Sequence, residues 1–303
     1  MKKNLIVILG PTASGKTTLA VRLASEFAGE IISADSRQVF RGMDIGTGKD
    51  LAQYKTVEGD VTCHLIDILE PAAEFNVFEF QKRFYQTFEC IRNRGNLPLL
   101  VGGTGLYLES VLAEYAMPHA RPDPDLRQDL SSMSMAQLQN ILVTMKTRLH
   151  NRTDLDDRER LIRKIEIERA RQSMSGQPEE RPVIHASVFG IEWDRAILRQ
   201  RIAKRLKQRM EEGMIEEVRR LRLEGISWDR LDSFGLEYRY VAGYLQERMT
   251  KPEMMEKLQI AIGQFAKRQM TWFRRMEKKG IVIDWISGAD YDSLRQKVSS
   301  VLR

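Results

Sequence analysis

Short apolar runs alternate with longer stretches of helical periodicity through the first third of the chain. The run Leu5–Leu9 stops at Gly10, and the run at 30–34 stops at Asp35. Short apolar runs bounded by turn residues favour buried strands, whereas apolar positions three or four residues apart favour one buried helix face. Their alternation predicts a parallel sheet covered by helices. The predicted strands are 5–9, 30–34, 64–69 and 97–101, and the predicted helices are 19–27 and 75–94, the latter capped by Asn76.

The pattern changes between residues 119 and 183. Prolines occur near both ends of this segment, polar helical stretches lie between them, and no apolar run indicates a strand. We therefore expect a catalytic core made of residues 1–118 and 184–303, with a small helical insertion domain at 119–183. The predicted elements after the insertion are a strand at 184–193, helices through 195–276, a strand at 280–285 and a helix at 292–302.

The composition is typical of a soluble, mildly basic protein. Of the 303 residues, 42% are hydrophobic, which suffices for a sizeable core, and no apolar run approaches the roughly 20 residues that span a bilayer. Cys63 and Cys90 are too few to stabilise a chain of this length by disulfides, and they fit the reducing cytosol. We therefore expect a cytoplasmic protein. No structural zinc site is predicted, because metal-ligand spacing is absent among the four histidines, His64, His119, His150 and His185.

Positive charge is concentrated towards the C-terminal end. The chain carries a net charge of +6, and residues 191–280 contain 21 Lys and Arg against 14 Asp and Glu. A solvated helix face explains such a stretch, and so does a surface that binds phosphate or nucleic acid. Phe265, Trp272 and Phe273 lie among the basic residues, where helical spacing favours a place in the core over base stacking. The run without any acid contains Arg199, Arg201, Lys204, Arg205, Lys207 and Arg209.

Residues 10–17, GPTASGKT, match the phosphate-binding pattern G-x-x-x-x-G-K-[ST] between a predicted strand and a predicted helix. Gly10 and Gly15 let the backbone curl so that its N–H groups point at phosphate oxygens, and the helix adds its positive N-terminal dipole. Lys16 supplies a charge, and the hydroxyl of Thr17 is placed to help hold Mg²⁺. The motif predicts a P-loop NTPase-like fold and a di- or triphosphate ligand, which need not be a nucleotide.

Asp35 follows the second predicted strand, at the edge of the sheet where parallel α/β proteins bind ligands. Its carboxylate is a candidate general base or an acid associated with Mg²⁺. An aspartate at the end of a strand also stabilises turns, and the position alone favours that role.

Several motifs occur in the order typical of one enzyme family. After GPTASGKT come DSRQVFRGMDIGTGK at 35–49, HLIDILEP at 64–71 and LLVGGTGLYLES at 99–110. Further on stand DDRERLIRKIE at 156–166, RQRIAKRLKQRMEEGMIEEV at 199–218 and AKRQMTWFRR at 266–275. With these motifs, which cover nearly its whole length, the chain resembles the tRNA dimethylallyltransferases, also called tRNA isopentenyltransferases.

The resemblance implies prenyl transfer to tRNA. The family moves a dimethylallyl group from its diphosphate to N6 of adenosine 37, just 3′ of the anticodon, and releases diphosphate. Asp35 would accept the proton of the N6 amine as the bond forms. The P-loop would hold an isoprenoid diphosphate instead of ATP, with Mg²⁺ offsetting the charge of the leaving group. The implied ligands and partners are dimethylallyl diphosphate, Mg²⁺ and the anticodon stem-loop of tRNA.

The same resemblance assigns individual residues. Thr104, in the glycine-rich motif, would lie at the reaction channel, although a glycine turn that opens a helix has a similar sequence. Arg201 and Arg205 are one helical turn apart and match diphosphate ligands. The implied diphosphate site is Gly10, Thr12, Ala13, Ser14, Gly15, Lys16, Thr17, Arg201 and Arg205. The implied tRNA contacts are Asp35, Ser36, Arg37, Gln38, Thr104, Arg127, Glu159, Arg160, Leu161, Ile162 and Arg163, the earliest of them around a flipped-out base.

Two positions depart from the family pattern. Ile262-Gly263 stand where a Thr-Arg pair is common, which removes a basic contact and puts a glycine inside a predicted helix. Glu237 precedes Tyr238 where the family usually has glycine before the tyrosine, so an acid lies in a region expected to contact tRNA. Because the P-loop and Asp35 are intact, we expect these changes to alter tRNA selection and affinity more than chemistry.

Other functions fit parts of the pattern. A P-loop kinase of the nucleotide or shikimate type shares the strand, the P-loop and the helical insertion, but does not need the basic helix at 199–209. A tRNA-binding protein that has lost catalysis would not be expected to keep Lys16, Thr17, Asp35 and Thr104. An isopentenyltransferase acting on free adenylate would lack the tRNA-type insertion and the basic clusters. We therefore expect the tRNA enzyme, acting as a monomer.

Overall fold

The computed structural model describes residues 3–57, 59–115, 117, 120, 123–145, 157–173 and 181–302. The chain forms two compact units, one made of Met1–Tyr115 with Pro182–Arg303 and the other of Ala116–Arg181. Of the two boundaries predicted for the insertion, the one at 118/119 lies outside the described residues. His119 and His150 lie outside them as well.

A parallel sheet forms the centre of the larger unit. Its strands are β1 (Leu5–Leu9), β2 (Gly29–Ala34), β5 (Cys63–His64), β6 (Leu97–Gly102), β7 (Ala186–Glu192) and β8 (Asp284–Ser287), and a separate antiparallel pair contains β3 (Lys55–Thr56) and β4 (Gly59–Asp60). Within the described residues, the order of the six strands is β5-β2-β6-β1-β7-β8. β1 is central, because Ile6 pairs with Leu99 on one side and with Ser187 on the other.

Helices cover both faces of this sheet and build the smaller unit. In the larger unit they are α1 (Lys16–Glu26), α2 (Val77–Asn93), α3 (Gly105–Leu112), α7 (Arg195–Glu211), α8 (Met214–Leu223), α9 (Trp228–Ser233), α10 (Leu236–Leu245), α11 (Lys251–Lys278) and α12 (Tyr291–Leu302), with a 3-10 turn at Leu51–Tyr54. In the smaller unit they are α4 (Pro124–Ser131), α5 (Met135–Thr144) and α6 (Arg158–Ser173).

Burial of both sheet faces explains the continuous apolar run of β1. Successive side chains of a strand point to opposite faces. Leu5, Val7 and Leu9 accordingly pack with α2 and α3, whereas Ile6 and Ile8 pack with α1 and α12. The predicted α/β fold with a helix-covered parallel sheet is therefore confirmed.

The cap predicted for α2 is also confirmed. Asn76 lies at the N-cap, and its Oδ1 accepts a hydrogen bond from the N–H of Glu79 at 3.1 Å. This contact satisfies one of the backbone donors that the first turn of a helix leaves without a partner.

A second core lies among the helices α7–α11. It also encloses the loop after β2, since Val39, Phe40 and Met43 are completely or almost completely buried in it. The residues that follow Asp35 are thus held by the C-terminal helices rather than by the sheet alone.

Two predicted strands are wrong in extent. The strand predicted at 64–69 includes only His64, because Leu65 and Asp67 have φ angles of 62° and 53°, which turn the chain out of the extended conformation. The strand predicted at 280–285 begins only at Asp284, which pairs with Phe189, and it extends to residue 287.

Candidate functional site

The P-loop, residues 10–17, joins β1 to α1. Ala13 and Gly15 have φ angles of 60° and 90°, so the backbone curls at these two residues. Gly10 lacks a positive φ, and a Cβ there would lie 2.8 Å from Ser14 Oγ. Gly10 therefore serves the loop through close packing against Ser14, a residue of the same loop, rather than through a positive φ.

Lys16 opens α1 and is half-buried beside the loop. Its Nζ donates a hydrogen bond to Pro11 O at 3.2 Å. Burial, followed by the nearby charge of Arg205, lowers the pKa of Lys16 to about 8. An ammonium group with so low a pKa is poorly solvated, and an anionic ligand would stabilise its charged form.

Arg201 of α7 lies against the P-loop. Its Nε donates a hydrogen bond to Ala13 O at 2.8 Å, and its guanidinium carbon lies 4.4 Å from the ring centroid of Trp193. Trp193 in turn donates from Nε1 to Ser14 O at 2.9 Å. Trp193 follows β7 and is a supporting residue that the sequence motifs did not single out.

A cavity of about 570 Å³, the P-loop cavity, opens between the P-loop, α7 and residues 50–53. Arg205 lines it and forms an ion pair with Asp50. Among the predicted diphosphate ligands, Thr12 lines a neighbouring cavity instead and Gly10 lines neither. The predicted ligands in the P-loop cavity are Ala13, Ser14, Gly15, Lys16, Thr17, Arg201 and Arg205.

A second cavity of about 230 Å³, the Asp35 cavity, adjoins the first. Lys16, Thr17, Arg205 and Arg209 line both cavities, and we call these four residues the junction. An anion bound at the P-loop would therefore lie beside whatever occupies the second cavity. The predicted tRNA contacts that the structure brings together in the Asp35 cavity are Asp35, Ser36, Arg37, Gln38 and Thr104.

Asp35 itself stabilises a turn. Its Oδ1 accepts hydrogen bonds from the N–H groups of Arg37, at 2.8 Å, and Gln38, at 3.4 Å. This is the turn role that the position alone favoured. No described residue donates a hydrogen bond to Oδ2, so one oxygen positions the carboxylate and the other is available to a ligand in the cavity.

Gln38 fixes the same loop from within. Its Oε1 accepts a hydrogen bond from Ser33 Oγ and its Nε2 donates to Gly48 O, both at 3.0 Å. Both amide groups are therefore engaged in holding the wall of the cavity.

Thr104 connects two loops at the carboxyl edge of the sheet. It occupies the N-cap of α3, yet its hydroxyl does not cap the helix. Its Oγ1 instead accepts a hydrogen bond from the N–H of Ser36 at 3.2 Å. The loop after β6 and the loop after β2 are thereby held together at the Asp35 cavity.

Gln269 of α11 connects the P-loop to the loop of Thr104. Its Oε1 accepts from the N–H of Thr12, and its Nε2 donates to Gly103 O, both at 2.9 Å. The side chain is 8% exposed, and a Cβ at Gly103 would collide with Nε2. The motif AKRQMTWFRR contains this glutamine, but only its long-range contacts show what it holds.

Glu217 of α8 anchors the loop after β2. Its carboxylate accepts hydrogen bonds from three successive N–H groups, those of Asp44 at 2.8 Å, Ile45 at 2.8 Å and Gly46 at 3.0 Å. The Tyr238 hydroxyl donates a fourth at 2.7 Å. Consecutive backbone donors of this kind form an anion-binding nest, which here is filled by the protein's own carboxylate.

Lys49 holds the end of the same loop. Its side chain is completely buried, and Nζ donates to Phe40 O at 2.7 Å. It forms ion pairs with Asp44, at 2.6 Å, and with Asp67. The lysine is therefore structural, since its charge is matched inside the protein.

Arg209 and Glu237 face each other at the junction. Arg209 Nη1 lies 3.0 Å from Glu237 Oε1, and the two side chains are 8% and 19% exposed. Burial raises the pKa of Glu237. Glu237, the acid expected in a tRNA-contacting region, thus lies inside the Asp35 cavity with a partner on α7.

The three aromatic residues near the C-terminal basic cluster have different environments. Phe273 is completely buried and Trp272 packs against the same core, as helical spacing predicts. Phe265 is 40% exposed and lines the Asp35 cavity, so the prediction of a core position is wrong for this residue.

In the smaller unit, Arg127 and Arg163 hold the buried carboxylate of Glu166, at 2.6 and 2.9 Å. Leu161 is completely buried in the core of this unit. Its prediction as a tRNA contact is wrong for the side chain, because a buried leucine offers RNA no surface. The remaining predicted contacts, Glu159 and Arg160, are exposed, and Ile162 is partly buried.

Among the described residues, no group of three or more His, Cys, Asp or Glu could hold a metal ion. Mg²⁺ keeps several waters and binds through few protein oxygens plus substrate phosphates. Thr17 and Asp50 in the P-loop cavity fit that kind of site. None of the helices in the described ranges combines the length and hydropathy required of a membrane span.

Sequence comparison links the chain to enzymes that act on tRNA. A family model described as IPP transferase matches residues 38–276, and one described as isopentenyl transferase matches residues 3–66. The chain is 57% identical to tRNA dimethylallyltransferase 1 of Syntrophus aciditrophicus, over 100% of both chains. It is 50% identical to tRNA dimethylallyltransferase 2 of Bacteroides fragilis, over 94% of this chain and 93% of the relative.

Solved structures give the same result. The full-length tRNA isopentenylpyrophosphate transferase of Bacillus halodurans matches with a TM-score of 0.70 and 33% identity, over 99% of this chain and 97% of the other. A eukaryotic dimethylallyltransferase acting on tRNA shares the fold, with a TM-score of 0.72 and 20% identity over 98% of this chain and 77% of the other. The predicted family resemblance is confirmed: the chain belongs to the IPP transferase family.

Proposed function

We propose that this protein is a tRNA dimethylallyltransferase that transfers the dimethylallyl group of dimethylallyl diphosphate to N6 of adenosine 37. The observation that carries the proposal is the junction. A cavity lined by the P-loop and several cations adjoins a cavity lined by Asp35, whose Oδ2 accepts no hydrogen bond from a described residue. Donor and acceptor would therefore meet where Lys16 and Arg205 line both spaces.

The P-loop cavity would hold the diphosphate. Lys16, Arg201 and Arg205 supply positive charge, and Arg201 is already oriented by Ala13 and the ring of Trp193. These groups stabilise the negative charge that develops on the diphosphate as its bond to the dimethylallyl carbon breaks. Mg²⁺, held by Thr17, Asp50, the substrate phosphates and water, would add to this charge stabilisation.

The Asp35 cavity would hold the acceptor base. An adenine within an anticodon loop has to leave its stack to enter a cavity of about 230 Å³. Its N6 forms the new bond to carbon and loses one proton, which Asp35 Oδ2 accepts. The exposed ring of Phe265 in the same cavity offers a surface on which a base stacks.

The smaller unit would contact the tRNA backbone. Arg160 is 65% exposed at its side chain, and Arg127 and Arg163 remain 46% and 35% exposed although they hold Glu166. Arginine side chains that are exposed to this extent can approach the phosphate oxygens of a bound RNA. We further propose that the enzyme acts as a monomer in the cytoplasm, where the reducing environment suits its free cysteines Cys63 and Cys90.

The test is a transfer assay with purified protein, Mg²⁺, dimethylallyl diphosphate and unfractionated tRNA. Mass spectrometry of digested nucleosides should detect N6-isopentenyladenosine, and sequencing of the modified fragments should place it 3′ of the anticodon. Turnover of ATP on a small acceptor, with no product on tRNA, would instead support a kinase.

A further inference from the structure

Arg209 is the member of the junction to which no role has been given so far. Its side chain is 8% exposed and lines both cavities. Nη1 is directed to Glu237 Oε1, while no described residue accepts a hydrogen bond from the buried Nε. The charge of Arg209 therefore acts on both cavities from a nearly buried position.

Glu237 is the residue that departs from the family pattern of glycine before tyrosine. A glycine there could not balance a cation, whereas the carboxylate lies 3.0 Å from the guanidinium of Arg209. Close packing fixes the guanidinium, because a Cβ at Gly48 would overlap Arg209 Nη2. The pair is therefore a defined element of the site rather than a solvated surface contact.

The ion pairs of the junction determine how much of its positive charge is neutralised within the protein. Lys16, Arg205 and Arg209 are its three cations. Arg205 is already paired with Asp50, and Arg209 with Glu237. Lys16 is consequently the junction cation without a carboxylate partner among the described residues. Each carboxylate reduces the attraction that the site exerts on an anion.

We propose that the Arg209–Glu237 pair sets the affinity of the junction for diphosphate, because Glu237 cancels the charge of Arg209 and so limits that affinity. The inference rests on the proposed function, in which diphosphate is both part of the donor and a product. If Arg209 had no carboxylate partner, diphosphate would bind more tightly and its release as product would be slower. If Glu237 had no cationic partner, its charge would repel the anionic donor. Matched opposite charges avoid both outcomes.

The experiment measures the binding of inorganic diphosphate by calorimetry, with Mg²⁺ and without tRNA. Glu237→Gln should tighten binding roughly three- to tenfold, the effect of one partly screened charge near the ligand. Arg209→Met should weaken binding by a similar factor, because Glu237 is then unpaired. The double variant should return to within about twofold of the wild type, since opposite charge changes cancel.

A merely structural role predicts a different pattern. Both single variants would then weaken binding, and the double variant would be no better than either, which would overturn the proposal. Glu70→Gln is the matched control, because Glu70 pairs with Arg41 at 2.7 Å on the surface and lines neither cavity. It should leave the affinity for diphosphate unchanged.

A second measurement covers the case in which Arg209→Met fails to fold. The affinity of Glu237→Gln for diphosphate should fall more steeply with salt than that of the wild type, since one more cation is exposed to the ligand. Equal salt dependence would contradict the proposal. The proposed function is tested separately by wild-type transfer to tRNA, so inactive wild-type protein with the expected charge dependence would refute only the proposed function.

Discussion

Gln269 provides the most direct test of how the site is assembled. Its amide joins the P-loop to the loop of Thr104 through two hydrogen bonds of 2.9 Å, one accepted from Thr12 N–H and one donated to Gly103 O. Gln269→Leu keeps the size of the side chain but leaves both backbone groups without their partner. Each such group costs about 1–3 kcal/mol when it is buried. Because Thr12 is only partly buried, we expect a total loss of about 2–4 kcal/mol in the free energy of unfolding.

Gln269→Leu should lower kcat by more than its loss of stability explains. One loop is the P-loop, which we propose binds the diphosphate, and the other contains Thr104. Loss of the bridge between them would change how the proposed donor approaches the acceptor. A misplacement of about 1 Å can reduce the rate about 100-fold. We therefore expect Gln269→Leu to lower kcat about 100-fold, measured at a temperature where the variant remains folded.

Urea unfolding and steady-state transfer kinetics check these two effects. Gln264→Leu is the matched control, since Gln264 is an exposed residue of the same helix and its loss should change neither quantity. Gln269→Glu, which keeps the acceptor for Thr12 but loses the donor to Gly103, should fall between the wild type and Gln269→Leu. A stability loss below about 0.5 kcal/mol, or a kcat equal to that of Gln264→Leu, would refute the reasoning.

Three further predictions concern single side chains. Asp35→Asn keeps an oxygen for the turn but cannot accept a proton, so kcat should fall about 100- to 10,000-fold. Binding of tRNA in a filter assay should persist. Transfer at the wild-type rate would rule out Asp35 as the general base. The pKa of Lys16 is lowered to about 8, so this side chain loses its positive charge as the pH rises through that value. The KM for dimethylallyl diphosphate should therefore increase between about pH 7 and about pH 9. The variant Lys16→Arg, which stays charged, should not show this pH dependence. A flat wild-type profile would contradict the role of Lys16. Lys49→Met removes the cation between Asp44 and Asp67, whose side chains are 50% and 34% exposed. Urea unfolding should show a loss of about 2 kcal/mol in the free energy of unfolding, which is less than for a fully buried ion pair. Unchanged stability would show that solvent replaces the lysine.

The sequence predicted those parts of the fold that depend on local pattern. The apolar run of β1, the cap of α2 and the P-loop each lie within a few consecutive residues, and all three are present in the structure. The extent of β5 could not be predicted, because its short length depends on left-handed residues at Leu65 and Asp67 rather than on hydrophobicity.

The sequence predicted those site residues that lie within a recognisable motif. Asp35 and Thr104 could be singled out from their motifs, and both line one cavity. Gln269, Glu217 and Arg209 could not be assigned roles in this way. Each acts on a loop more than 150 residues earlier in the chain, as shown by the sequence separations of 257, 173 and 163 residues in their hydrogen bonds.

The hydrogen bonds from the loop after β2 to Glu217 affect the order in which parts of the protein can fold during synthesis. The loop that contains Asp44 is synthesised 173 residues before the carboxylate that holds it. Contacts at so long a separation form late, because the entropy of closing the intervening chain has to be overcome first. On the ribosome, the P-loop emerges early, whereas the wall of the Asp35 cavity stays without its anchor until α8 has been made. The P-loop cavity also lacks Arg201 and Arg205 until α7 has been made, so both proposed binding cavities are completed only late in synthesis.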